Sequence, residues 1–136
     1  MLHRLTYGLL VAVAIVSGCS GNEKEHQAIT QLIETRSKAL NSRNTTLYLS
    51  TVSPGYSDKD KGYSQLKESI INNFKTFESL SYQSEEHAIS VAGNLAEASG
   101  TYRMRVIIRG RELLLDGMEH LKLAKGPEGW KIIGGL

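Results

Sequence analysis

"LAEASGTYRMRVIIRGRELLLDGMEHLKLAK", Leu95–Lys125, holds two long stretches of alternating polarity around a central Arg109-Gly110. With that dipeptide at the centre of a two-residue turn, Ile108 faces Arg111 and the register runs outward. Val106 then meets Leu113, Met104 meets Leu115, Ala98 meets Leu121 and Ala96 meets Leu123. Those pairs lie on one apolar face. On the other face Arg103 meets Asp116 and Glu97 meets Lys122, two opposite-charge pairs of the kind that stabilise a ladder by ~0.2–1 kcal/mol each. A slip of one residue would mix the faces. The stretch is therefore a long β-hairpin with an apolar and a polar side.

Two exceptions stand together on the apolar face. Glu119 falls opposite Gly100, and the next pair is Tyr102 with Gly117. A carboxylate on a core face is costly unless it is paired or wet, and the glycines beside it remove side-chain volume. Arg36, Gly100, Tyr102, Gly117 and Glu119 are the candidate lining of a pocket. The alternative is a bulge that turns Glu119 outward. On the outer face Arg103, Arg105, Arg109 and Arg111 share one numerical parity. They are a candidate patch for anionic headgroups or a partner surface, or a solvated face neutralised by Glu97, Glu112 and Asp116.

Working outward, three helical segments precede the hairpin. Glu23 to Arg43 carries Ala28, Ile29, Leu32, Ile33, Ala39 and Leu40 at helical spacing, with Arg36 on the same stripe. A short helix is expected over Thr45–Val52, stopped by Ser53-Pro54-Gly55. "PGYSDKDKGYS" reads as a loop. A third helix runs from about Ser64, its expected N-cap, to Phe77. "LSYQSEEHAISV", Leu80–Val91, reads as one strand, and Gly93-Asn94 as the turn before the hairpin. After "GPEG", a last strand places Trp130 and Ile132 on one face, against the third helix. The fold class is α+β: N-terminal helices on an antiparallel sheet.

At the other end of the chain, Leu5–Val16 is short and apolar, preceded by His3 and Arg4 and followed by Ser17 and Gly18. It is shorter than the ~18–20 residues that span a bilayer. It has the order of a secretory signal. Val16-Ser17-Gly18-Cys19 resembles the lipobox of bacterial lipoproteins, in which the cysteine is acylated and the chain is cut before it. Cys19 is the only cysteine, so this reading leaves no thiol for a disulfide, a metal or a nucleophile. The expected organisation is a signal peptide over 1–18, lipidated Cys19 with a tether to residue 25, and one domain over 26–136. A tether of this length reaches at most ~20 Å. The expected location is the bacterial cell envelope, at the periplasmic face of the outer membrane if the host has one.

Loss of Arg4 with the leader leaves 15 Lys and Arg against 14 Asp and Glu. That balance does not suggest a nucleic-acid partner. No spacing for a metal site, phosphate loop or nucleophile motif occurs, and no cofactor is expected. His120 falls on the outer face, His26 lies near the tether, and His87 has no carboxylate at a fixed spacing.

From Glu25 to Leu136 the order helix, short helix, helix, antiparallel sheet resembles the nuclear-transport-factor-2-like (SnoaL-like) superfamily. The resemblance rests on the Pro54-Gly55-Tyr56 loop, the Phe74–Phe77 helix end, the Gly93–Ala98 turn into a small-residue strand, and Gly129-Trp130-Lys131-Ile132. It implies a cone between sheet and helices. Ketosteroid isomerase and scytalone dehydratase work inside such cones, and many other members only bind or assemble. The isomerases carry a tyrosine on the first helix, where this chain offers Arg36. They carry an aspartate after the second helix, near Asp58 here, and a carboxylic acid deep in the sheet, at a level Glu119 resembles. The expected function is a membrane-anchored module that binds a small apolar ligand or docks an envelope protein. The alternative is an isomerase- or lyase-like enzyme using Glu119 with Tyr102. Expected partners are the lipid membrane through acylated Cys19, that ligand or envelope protein, and a second copy of the chain.

Overall fold

The computed structural model describes residues 20–136, so the leader and Cys19 lie outside the described residues. Helix α1 spans Ser20–Ser42, α2 Thr45–Ser50 and α3 Tyr63–Thr76. Strands β1 (Ser57–Asp58) and β2 (Lys61–Gly62) form a small hairpin before α3. The main sheet holds β3 (Ser79–Ser84), β4 (Ala88–Ala92), β5 (Leu95–Ile108), β6 (Arg111–Gly126) and β7 (Gly129–Gly134). All its strand pairs are antiparallel. Among the described residues no helix is long and apolar enough to cross a membrane.

The β5–β6 register is the one the alternation dictates. Ile108 pairs with Arg111, Arg103 with Asp116, Gly100 with Glu119 and Ala96 with Leu123. Arg109 and Gly110 both take positive φ (50° and 73°), as a two-residue hairpin turn of matching twist requires.

Three element assignments between α2 and β5 differ from the sequence reading. "LSYQSEEHAISV" is two strands, not one: β3 pairs with Tyr102–Ile107 and β4 with Leu95–Ser99 of the same β5. The break at Glu85-Glu86-His87 lets one long strand serve two short ones. The 54–64 loop contains the β1–β2 hairpin, whose turn residues Lys59 and Asp60 both sit at positive φ (48° and 63°). And α3 starts at Tyr63, not Ser64; the Gln65 side chain reaches back to accept from the Gly62 N–H at 2.8 Å.

On α1 the buried stripe is Ile29, Ile33, Arg36, Ala39 and Leu40, at helical spacing, while Ala28 faces solvent. The helix ends at Ser42, so Arg43 is not in its last turn. Arg43 takes a left-handed φ of 50°, and the Asn44 N–H bonds back to the Ala39 carbonyl at 2.9 Å. Asn44 then caps α2, its Oδ1 accepting from the Leu47 N–H at 2.9 Å.

Trp130 and Ile132 do share the buried face of β7. Trp130, however, lies beside α1 rather than α3: its indole N–H donates to Glu25, which also binds Lys125. After α2 the chain runs beside β7, and Thr51 and Ser53 exchange backbone bonds of 2.9 Å with Ile132.

The core lies between α1, α2, α3 and the face of the sheet that carries Leu80, Tyr82, Ala98, Val106, Leu121 and Leu123. It does not extend along the whole apolar face of the hairpin. β7 pairs only with the Lys122–Gly126 end of β6. Beyond it, Leu113 and Leu115 are exposed although Val106, opposite Leu113, is buried.

Candidate functional site

The stripe on α1 aims Arg36 at the sheet, and the hairpin register aims Glu119 back at it. Arg36 NH1 donates to Glu119 Oε2 at 3.0 Å, with both side chains over nine-tenths buried. Two further groups complete the cluster, and the sequence reading missed both. The Tyr82 hydroxyl, from β3, donates to Glu119 Oε1 at 2.7 Å and accepts from Arg36 NH1 at 3.2 Å. His87 Nε2, from the break between β3 and β4, lies 2.7 Å from the same Oε1. Both oxygens of the carboxylate are therefore engaged. Among the described residues all hydrogen bonds of the guanidinium run through NH1, and its buried Nε has no partner.

Burial pushes the Glu119 carboxyl up, but Arg36 and the bonds from Tyr82 and His87 outweigh it. The carboxyl is held below its ordinary value. Burial likewise works against the charge of Arg36, and Tyr48, Tyr82 and Glu119 around it more than reverse the effect. The Tyr82 phenol is pushed well above its ordinary value. Burial leads that shift, opposed by Arg36 and reinforced by the bond to Glu119. It stays neutral and keeps its proton to donate.

The two glycines beside Glu119 have specific occupants. A Cβ on Gly100 would stand 2.9 Å from the His87 ring, and one on Gly117 2.8 Å from the Tyr102 hydroxyl. The volume they release is filled by those two rings. Tyr102 in turn stacks on Tyr82, with centroids 5.8 Å apart and planes 20° from parallel. Arg36, Tyr102 and Glu119 thus come together on one floor, while Gly100 and Gly117, covered by the rings of His87 and Tyr102, do not line it.

That floor closes a cavity of about 770 Å³ between the sheet and the helices, within the usual range for small-molecule sites. Its apolar wall includes Leu66, Ile70, Phe74, Phe77, Leu80 and Met104. Tyr82, Tyr102, Arg36 and Glu119 give the polar end, and the β1–β2 hairpin brings Asp58, Lys59 and Lys61 to the mouth. The Tyr102 hydroxyl has no hydrogen-bond partner among the described residues. His87 is not in the lining; it supports Glu119 from behind.

This order of helices and sheet matches solved structures over most of the chain. One is a nuclear transport factor 2 (NTF2-like) superfamily protein from Salmonella enterica serovar Typhimurium. It is 26% identical, with a TM-score of 0.74 over 84% of this chain and 92% of that one. The chain has the nuclear-transport-factor-2-like fold. A protein from Streptomyces avermitilis, proposed as a dehydratase of the NTF2-like family, shares that fold at 13% identity (TM-score 0.69, 82% and 93% covered). So does one from Shewanella frigidimarina, proposed as a ketosteroid isomerase, at 18% identity (TM-score 0.65, 78% and 90% covered). No protein-family model and no curated protein sequence matches the chain.

Within this NTF2-like fold the arginines of the hairpin do not make one patch. The register pairs an odd-numbered residue of β5 with an even-numbered one of β6. Arg111, opposite Ile108, therefore falls on the apolar side, away from Arg103 and Arg105, and Arg109 sits in the turn. Arg103 pairs with Asp116 at 3.0 Å and Arg105 with Glu112 at 2.7 Å, both exposed. Among the described residues no group of three or more His, Cys, Asp or Glu could hold a metal ion.

Proposed function

We propose that this chain is a lipid-anchored envelope protein whose NTF2-like cone holds a small, largely apolar ligand without transforming it. One observation carries the binding half: Glu119, the carboxylate at the polar end of the cavity, has both oxygens occupied by Arg36, Tyr82 and His87. A general base must offer a lone pair to the proton it takes, and a general acid must hold one near neutral pH. A carboxyl held low, with a donor on each oxygen, suits neither role. It fixes Arg36 and Tyr82 at the cavity's end, and the free Tyr102 hydroxyl is left to meet a polar atom of the ligand. The anchored half rests on the lipobox-like Val16–Cys19.

The enzymatic alternative, an isomerase- or lyase-like reaction, is favoured by one feature besides the names of the neighbours. Asp58 lines the cavity mouth and, among the described residues, only its Oδ2 is engaged, accepting from the Gly135 N–H at 2.8 Å. Native mass spectrometry of the purified protein separates the readings. A binding protein carries a co-purified mass that survives unaltered and is lost on filling the cavity by Ile70→Trp. Slow release of an altered compound, abolished by Asp58→Asn, would refute the binding reading.

A further inference from the structure

From the free edge of β6, we infer that two copies of this chain join their sheets there, antiparallel and centred on Leu115.

β7 pairs with β6 only from Lys122 to Gly126. Beyond that pairing, Gly135 still lies against the His120 carbonyl. The residues Arg111–Glu119 have β5 on one side and, among the described residues, no strand on the other. The turn decides which of their backbone groups are free. Ile108 and Arg111 close a two-residue turn and exchange bonds, as does every second pair after them. Glu112, Leu114, Asp116 and Met118 therefore point their N–H and C=O groups away from β5. A long unpaired edge is a template for another strand, and natural edges are blunted by proline, lysine or a bulge. Between Arg111 and Glu119 there is no proline and no lysine, and the register with β5 runs without a bulge. Large apolar side chains flank this edge on both faces. Leu113 and Leu115 (48% and 44% exposed) lie on one, Leu114 and Met118 (67% and 82%) on the other.

Free backbone groups call for a strand, and the charges along the edge say which one fits. A two-fold axis normal to the sheet keeps each face continuous, so residues of like parity meet. Centred on Leu115, the pairing uses the whole edge from Arg111 to Glu119. Glu112 then exchanges bonds with Met118 of the second copy, Leu114 with Asp116, and Leu113 faces Gly117. Centred on Leu114, Glu112 would face Asp116; centred on Asp116, that residue would face itself. Like charges directly opposite are destabilising, and both alternatives shorten the seam. Length and charge thus select the same register. In it Glu112 and Asp116 keep their own partners on β5, Arg105 at 2.7 Å and Arg103 at 3.0 Å. The two Leu115 residues meet as a close, non-hydrogen-bonded pair on one face. Leu114 lies diagonal to Leu114 and Met118 of the second copy on the other. One contact covers all four exposed side chains. A single seam of this length belongs to the smaller class of specific interfaces, about 1,200 Å² in total or less, so dimerisation is expected at micromolar concentrations.

Single cysteines test the register in the purified full chain carrying Cys19→Ser, which removes the only native thiol. In a non-hydrogen-bonded pair the Cα atoms stand ~4.5 Å apart, within disulfide range. Leu115→Cys should therefore oxidise to a covalent dimer at least roughly ten-fold faster than Leu95→Cys, an exposed site at the far end of β5 that reports random collision. Leu114→Cys should behave like Leu95→Cys. Native mass spectrometry of the chain without added cysteines should show dimer growing with concentration. In Leu115→Lys, which sets two ammonium groups face to face, its dissociation constant should rise at least roughly ten-fold. Preferential cross-linking of Leu114→Cys would overturn the register. A dimer unaffected by Leu115→Lys would overturn the edge as its seat. A chain that stays monomeric, with Leu115→Cys no faster than Leu95→Cys, would overturn the pairing altogether.

Discussion

Replacing Glu119 with Gln removes one charge from the floor of the cone and little volume. Gln can still accept from Tyr82 or Arg36, but it leaves Arg36 charged, over nine-tenths buried and without its carboxylate. Removing one partner of a buried ion pair costs ~3–5 kcal/mol. The retained acceptor places the expected loss near the lower end, about 3 kcal/mol. At this chain length that corresponds to a fall in Tm of roughly 10 °C. Trp130 is the only tryptophan and sits in the core, so its fluorescence reports urea unfolding directly. The midpoint should fall with the slope unchanged.

The pH dependence has a determined sign. The folded carboxyl is held below its ordinary value, so the folded state favours the ionised form. The stabilisation from Glu119 is fully present above the unfolded pKa of ~4.3. It is lost as pH falls through the folded value. The difference in stability between wild type and Glu119→Gln should therefore be largest at neutral pH and shrink on acidification below about pH 4. A silent Gln variant, within ~0.5 kcal/mol of wild type, would refute the pairing. So would an NMR titration that places the Glu119 carboxyl above a free glutamate.

Three other perturbations have defined outcomes. Gly117→Ala should displace Tyr102 from its stack on Tyr82, and Gly100→Ala should press on His87; each overpacking should cost ~1–3 kcal/mol, measured by urea midpoints. Trp130→Ala should cost ~3–5 kcal/mol, because the indole is buried and its N–H is bound to Glu25 on α1; an unchanged thermal midpoint would contradict that packing. Cys19→Ser should move the protein from the detergent phase to the aqueous phase in Triton X-114 partitioning, and a variant that still fractionates with membranes would refute the lipid anchor.

The hairpin was legible because its faces differ in polarity along most of its length, so only one register suits both. Glu119 was legible for the same reason, as a carboxylate standing on the apolar face beside two glycines. What fills the released volume was not. His87 and Tyr102 are both aromatic rings near glycines, but only Tyr102 lies on the hairpin whose register the turn fixes. Tyr82 comes from β3 and His87 from the break that ends it, and nothing in the polarity of "SEEH" marks that break. Tyr82 does share the parity of Leu80, and that was the available signal. The arginine patch failed for a geometric reason. Numerical parity does not carry across a two-residue turn, so Arg111 changed sides.

A buried ion pair is weak evidence for stability by itself, since apolar replacement of both partners is often neutral or favourable. The Arg36–Glu119 pair invites the question of what it does instead, and a second substitution answers it. In Arg36→Met/Glu119→Gln no charge is left stranded, and the introduced amide still offers an acceptor to Tyr82 or His87. The double variant should therefore recover ~1–3 kcal/mol relative to Glu119→Gln alone. If it does, the pair is held in place by the cost of breaking it rather than by a net contribution to folding, and its use lies in the polar end it gives the cone. Ligand affinity should then fall in the double variant even where stability returns. If the double variant is instead less stable than Glu119→Gln, the guanidinium contributes to folding through its stacking on Tyr82 and Tyr48, 5.4 and 5.9 Å from the ring centroids. In that case a loss of binding could no longer be ascribed to the polar end of the cavity.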